Sequence, residues 1–184
     1  MAVKAFLGLA TAFGLSTAAG LNAYIPLLVV ALMARLTSLI TLNEPYDALS
    51  NWWVIGTLAV LLVVEILVDK VPAVDTVNDV IQTFIRPAAG AILFAATSNT
   101  IDVHPVLAAV LGVIVAGGVH AVKAGGRPVV AATTAGLGDP IVSTIEDIIS
   151  FVTSVLAIVA PYLVVTLAII ALSLIIWWAV RRRR

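Results

Sequence analysis

The sequence predicts an all-α membrane protein of about six transmembrane helices, some of them broken or partial, built from an internal duplication. Three observations lead there. Mean hydropathy is +1.17. Only 11% of residues are charged, against about 25% in soluble domains. Several apolar runs approach or exceed the roughly 20 residues that cross a bilayer. These runs do not alternate apolar with polar, which excludes a transmembrane β-barrel. The 184 residues leave room for a single integral membrane domain, residues 1–184, and for no soluble one. Net charge is zero, so no nucleic-acid partner is expected, and cysteine is absent, which removes disulfides and thiolate chemistry.

The first apolar segment runs from about Lys4 to Thr37, too long for one straight crossing. Gly20 and Pro26 are expected to break it, as a kink or a re-entrant pair. Its start, Lys4 followed by AFLGLATAFGL, resembles a cleavable signal. The same pattern recurs in mid-chain, so it reads as mature structure. The second helix is 52–69, WWVIGTLAVLLVVEILVD. The third spans 73–98 with an interruption at Arg86-Pro87, and the fourth spans 105–123. The Gly-rich stretch KAGGRPVVAATTAGLGDP follows and is expected to dip partly into the membrane. The fifth helix begins at Ile141, and Pro161 separates it from a sixth that ends at Trp177-Trp178. Lys and Arg accumulate in cytoplasmic loops. With six crossings, Lys4, Lys70, Lys123, Arg127 and Arg181 to Arg184 lie inside and Arg35 outside, so both termini are expected in the cytoplasm. Trp52, Trp53, Trp177 and Trp178 suit the interfaces.

Two pairs of segments recur. LATAFGLSTAAGLNA at 9–23 matches LAAVLGVIVAGGVHA at 107–121, an offset of 98; PAVDTVNDVI at 72–81 matches PIVSTIEDII at 140–149, an offset of 68. Low complexity in Ala, Gly and Val is the alternative for the first pair. A duplication gives halves 1–100 and 101–184, the first with an extra segment best matched by 52–68. Six crossings make the first pair antiparallel and the second parallel, an inconsistency that an extra pass or partial helices would remove. Gly14-x-x-x-Ala18 and Gly112-x-x-x-Ala116, with Gly20 and Gly118, allow close approach of the repeat helices or of two protomers.

The charged residues carry what chemistry there is. Proline opening a helix, followed by acids, is good helix-start chemistry. Beyond that, Asp75, Asp79 and Arg86 fall near one face with Gln82 and Thr83, opposite Val77, Ile81 and Phe84. In the second copy Ser143, Asp147, Ser150 and Ser154 make the polar stripe, with Glu146 beside it. Such a face meets water, a cavity or a polar partner helix. Glu65 sits a turn inside the second helix and is expected to be protonated, paired or facing water, with Lys70 or Arg86 as its candidate partner, whereas Asp69-Lys70 reads as boundary charge. His120 and Lys123 share a face, with Arg127 a turn further. They form either a basic pocket facing the acids or boundary charge. His120 aligns with Asn22 of the first copy. No cofactor or metal signature stands out, although Asp75, Asp79, Glu146 and Asp147 supply oxygens suited to a divalent cation. Neither a phosphate-binding glycine loop nor a nucleophile elbow occurs, so an enzyme is the less favoured reading.

Taken together, AAGLNAYIPLL, Glu65-x-x-x-Asp69-Lys70-x-Pro72, Asp75-x-x-x-Asp79, Arg86-Pro87, His120-x-x-Lys123-x-x-x-Arg127 and Ser143-x-x-Glu146-Asp147 resemble the bacterial membrane family called domain of unknown function 4126. The resemblance covers most of the chain. It implies a multi-pass protein of the bacterial cytoplasmic membrane whose shared features are the charged positions, and it supplies no substrate. The functional expectation is a small transporter or channel for an ion or small solute. Its pathway would be lined by Glu65, Asp75, Asp79, Glu146 and Asp147, with Arg86, Lys123 and Arg127 as counter-ions and His120 nearby. The lipid bilayer and a second copy of the chain are its expected partners. The alternatives are a membrane scaffold and a membrane-embedded enzyme.

Overall fold

The computed structural model describes residues 2–69, 72–98, 103–134 and 138–182. Seven α-helices account for nearly all of them: α1 (Ala2–Leu21), α2 (Tyr24–Leu36), α3 (Trp52–Val68), α4 (Pro72–Thr97), α5 (Pro105–Thr134), α6 (Asp139–Val159) and α7 (Pro161–Arg182). A 3-10 turn, Tyr46–Ser50, precedes α3. Among the described residues there is no strand.

The polarity of the bundle is inverted relative to a soluble protein. On α6, Ser143, Ser150 and Ser154 are buried while Ile145, Ile148, Ile149 and Phe151 are exposed. On α4, Gln82 and Arg86 are buried while Val80, Ile81 and Phe84 are exposed. Lipid accepts the apolar faces, so the polar faces turn inward to find one another. Among the described residues four helices are long and apolar enough to cross a membrane: α1, α4 from Asn78 onward, α5 and α6. α2 and α3 are shorter apolar helices. The chain is an all-α membrane protein.

The direction of each helix follows from its contacts. α6 runs antiparallel to α1, since Ser150 Oγ donates to the Ala18 carbonyl (3.0 Å) and Thr11 Oγ1 to the Ala157 carbonyl (2.8 Å). It runs parallel to α2, because Asp147 meets Asn22 at the start of α2 and Phe151 lies beside Leu28 further along. α1 and α2 therefore form a hairpin that reverses at Asn22-Ala23. At the other end of that hairpin, Lys4 and Gly8 share a cavity wall with Ile40 and Asn43, with Thr97 from the end of α4 and Ile158 from the end of α6.

Several expectations need correcting. The first segment is a re-entrant pair broken at Asn22-Ala23; neither Gly20 nor Pro26 is the break, and both lie within helices. Lys4 consequently lies at the same end as the 37–51 segment that follows Arg35, opposite Lys123 and Arg127. The reversal also removes the antiparallel problem. α1 is antiparallel to α4 (Ser16 Oγ to the Gly90 carbonyl, 3.0 Å; Phe13 edge-on to Phe94), and α4 is antiparallel to α5 (Arg86 with His120, Asp79 with Arg127). Thus α1 and α5 are parallel, and so are α4 and α6. The segment between the matching stretches of the first half is the whole α2–α3 hairpin, longer than the 52–68 span. α4 continues through Arg86-Pro87 without interruption, the ring of Pro87 facing the bare backbone of Gly117 on α5. α5 likewise continues to Thr134 through Gly125, Gly126 and Pro128.

Small residues set the helix spacing. A Cβ added to Gly112 would strike the Gly90 carbonyl of α4, and one added to Gly20 would strike Val119 and the Ala116 carbonyl of α5. Gly14 faces Ala157 of α6 and Val164 of α7. Ala18 and Ala116 are fully buried. Gly118 differs: nothing lies within 4 Å of its Cβ position, because it points away from both α1 and α4. Replacing Gly112 by Leu should cost roughly 3 kcal/mol or more through overpacking, and Gly118→Ala should leave stability unchanged. Thermal denaturation of the detergent-purified variants, followed by loss of the monodisperse peak, checks both.

Candidate functional site

The hairpin tip explains why the charges gather. Ending α1 inside the bundle leaves carbonyls without helical partners, and starting α2 leaves N–H groups without them. Water cannot satisfy them in the hydrocarbon region. Asn22 Oδ1 accepts from the backbone N–H groups of Tyr24 and Ile25, each at 3.0 Å, and so caps α2. Lys123 Nζ donates to the Leu21 carbonyl (3.1 Å), and Ser150 adds a second bond to the Ala18 carbonyl, which already accepts from the Asn22 N–H. Asn22 Nδ2 in turn donates to Asp147 Oδ1 at 2.9 Å. One reversal thereby draws in side chains from α5 and α6.

From there a single network extends through four helices. Lys123 Nζ lies 2.8 Å from Glu146 Oε2, an ion pair between α5 and α6. Arg127 Nη1 donates to Asp79 Oδ2 at 2.9 Å, while its Nη2 lies 3.8 Å from Asp69 and 3.9 Å from Glu146. Asp69 accepts from Asn78 of α4 and Ser143 of α6, each at 2.8 Å. One carboxylate at the end of α3 thus ties together both of the proline-acid helices.

Deeper in the bundle, Arg86 is fully buried and donates from Nη2 to Glu65 Oε1 (3.2 Å) and from Nη1 to His120 Nδ1 (3.1 Å). A guanidinium can only donate, so Nδ1 of His120 must be the acceptor. The ring proton then sits on Nε2, which meets Thr83 Oγ1 at 3.0 Å, and Thr83 passes its own proton to the Asp79 carbonyl. His120 is therefore neutral. The network holds the five carboxylates of Glu65, Asp69, Asp79, Glu146 and Asp147 against the three cations of Arg86, Lys123 and Arg127. Among the described residues acid exceeds base by two.

Of the residues the sequence singles out, Glu65, Asp79, Arg86, His120, Lys123, Arg127, Glu146 and Asp147 all meet here. The side chain of Asp75 and residue Lys70 lie outside the described residues. Asp69 is the main correction: it is buried, 3% exposed, and is a hub rather than a boundary marker. Its spacing of four from Glu65 was the available signal, since both then face the bundle. Asn22 joins the same network as His120, its partner in the 98-residue alignment. Asn78, a neutral residue among acids, gave no sequence signal.

Apolar outside and charged within, these helices define a helical membrane protein with a buried ionic centre. The chain belongs to the family described as domain of unknown function DUF4126, whose model matches residues 9–181. That description carries no activity. No curated protein and no solved structure matches the chain.

The pairing predicts a specific non-additivity. Arg86→Met leaves Glu65 as an uncompensated buried charge and should cost about 3–5 kcal/mol. The double variant Glu65→Gln/Arg86→Met should recover part of that loss. Thermal stability of the four proteins of this cycle, measured in one detergent, decides it; additive losses would contradict a direct buried pair.

Proposed function

We propose that this chain is a small membrane transporter or channel for an ion or small solute, and that the ionic centre is its binding and gating site. The excess of carboxylate inside a lipid-facing bundle carries the reading. Charges at such depth are costly and mark binding sites, relays or gates. A helix broken at the level of the site, with its free backbone groups turned to polar side chains, is the arrangement transporters use at substrate sites. Excess acid favours a cation or a proton-coupled solute. Arg86, Lys123 and Arg127 then serve as counter-ions that hold the acids in place between binding events.

On the Lys and Arg rule, the charged end faces the cytoplasm of a bacterial cell, with Arg181 to Arg184 anchoring that side. With the α1–α2 hairpin, this reading sets the N-terminus on the opposite side, in place of a cytoplasmic one. α1–α4 and α5–α7 are read as diverged copies of one unit. A second copy of the chain completes the pathway, since one copy supplies few helices to enclose it. The rival reading, a scaffold with ion pairs as struts, calls for fully matched charges. Buried oxygens of Glu65, Asp79 and Gln82 without partners favour a working site instead. An enzyme using the same acids is the weakest reading, for want of a nucleophile or cofactor signature.

The test is flux in proteoliposomes loaded with pH- and ion-sensitive dyes, under imposed gradients of protons, Na+ and K+. Wild-type protein should conduct above empty vesicles, and Asp79→Asn or Asp147→Asn should lower the rate on the order of tenfold. Wild-type vesicles indistinguishable from empty ones for every ion would overturn the transport reading for ions. Co-purification of a partner lost on Gly14→Leu would then favour the scaffold.

A further inference from the structure

The corner of the network around Glu65 is organised differently from the rest. At Asp69 both carboxylate oxygens accept hydrogen bonds, from Asn78 and Ser143. At Glu65, whose side chain is 1% exposed, Oε1 takes one bond from Arg86 and Oε2 is buried without a partner. Gln82 is 1% exposed, and its Oε1 also lacks a donor. The hydroxyl of Tyr24, at the start of α2, lies beside Gln82 and within the field of Glu65. Acceptor oxygens left bare inside a membrane protein cost several kcal/mol each, about as much as a lost hydrogen bond in hydrocarbon. Arg86 Nε is buried without a partner as well, so two bare acceptor oxygens, of Glu65 and Gln82, stand against one bare donor in this corner; a carboxylate can provide a further donor by taking up a proton.

We propose that Glu65 binds an exchangeable proton at this site. The inference rests on the transport reading for its purpose and names the proton as the cation of that site. In the proton-bound form the O–H bond forms on Oε2. Glu65 becomes a hydrogen-bond donor, and its ion pair with Arg86 becomes an ordinary hydrogen bond. When the proton leaves, the ion pair returns. The neighbours support this assignment. Around Glu65 stand Tyr24 of α2, Arg86 of α4, His120 and Lys123 of α5, and Asp69 on its own helix. His120 has both ring nitrogens committed, to Arg86 and Thr83, and Lys123 is held by Glu146 and the Leu21 carbonyl. Asp69, Asp79 and Glu146 each lie within 4 Å of Arg127 or Lys123, and Asp147 accepts from Asn22. Among these carboxylates Glu65 alone combines near-complete burial with a bare oxygen. Nearer water, Asp79, whose side chain is 21% exposed, sits one helical turn toward the charged end from Gln82 on the same face of α4. Asp79 Oδ1 is also without a partner.

The experiment is infrared difference spectroscopy of the full chain in lipid nanodiscs, between acid and neutral pH. Wild-type protein should show a protonated-carboxyl band that Glu65→Gln removes and Asp79→Asn retains. Gln82→Leu keeps the carboxyl but removes a bare, buried amide oxygen from the same corner, so it should shift that band without abolishing it; this variant also serves where Glu65→Gln does not fold. A wild-type spectrum without such a band, or a band untouched by both Glu65→Gln and Gln82→Leu, overturns the proposal whatever the flux. In matched proteoliposomes Glu65→Gln should lower proton flux on the order of tenfold. The band present with no flux of any ion would leave proton binding at Glu65 standing and sink the transport reading.

Discussion

The bundle depends on the satisfaction of backbone groups at one point, the reversal of the chain between α1 and α2. A helix can end in hydrocarbon only if protein supplies the partners that water cannot. Asn22 supplies them to α2, while Lys123 supplies one to α1 and Ser150 reinforces the Ala18 carbonyl. Each of those side chains belongs to a further interaction. Lys123 brings Glu146, and Asn22 brings Asp147. The polar faces of α5 and α6 are therefore fixed against the tip of the hairpin before any ligand is considered. The rest of the network follows through Arg127 and Asp69.

That dependence also orders the energetics. α3 presents many of its side chains to lipid, Val60, Val63, Val64 and Leu67 among them. Its grip on α4 and α6 comes through Glu65 and Asp69, whose partners are Arg86, Asn78 and Ser143. α1, α4 and α5, by contrast, meet through glycine and alanine, where backbones touch and dispersion is dense. α1, α4 and α5 meet by shape, and α3 meets α4 and α6 through charge while Ile55 and Leu58 pack it into the apolar cluster with α2. A contact held by charge changes strength when a proton or ion arrives, whereas close-packed backbones do not respond in that way. The contact of α3 with α4 and α6 is accordingly the one best suited to change.

Much of this was legible in the residues and some was not. The charged positions could be picked out because a polar atom in an apolar helix must be satisfied by something, and Glu65, Arg86 and Asp147 stand out on that ground alone. Their meeting required knowing which faces turn inward, and helical spacing gave that for α4 and α6. Helix direction was less accessible. Gly20 and Pro26 looked like the break, yet a proline in the first turn of a helix and a glycine packed against a neighbouring backbone are both compatible with continuous helix. The break fell instead at Asn22, the residue able to cap a new helix with its own side chain. Asp69 was misjudged because a charge next to Lys70 at a helix end has the composition of a membrane boundary. Arg86-Pro87 and Gly125-Gly126-Pro128 looked like interruptions because local propensity was weighed without the neighbouring helix that holds the segment in place.

The neutral state of His120 carries the reasoning one step further. Because Arg86 fixes Nδ1 as an acceptor, the imidazole relays a hydrogen bond from guanidinium to Thr83 and on to the Asp79 carbonyl. Were His120 charged, it would need both nitrogens to donate, and the bond from Arg86 would become a repulsion between two cations. Positive charge therefore cannot accumulate at that end of the relay while Arg86 is in place. Among the described residues the surplus negative charge then falls on the carboxylates. Of these, Glu65, Asp69, Asp79 and Glu146 each have a cation within 4 Å and Asp147 has the Asn22 amide. Glu65 differs from the others in depth, with a side chain 1% exposed and one oxygen buried without a partner.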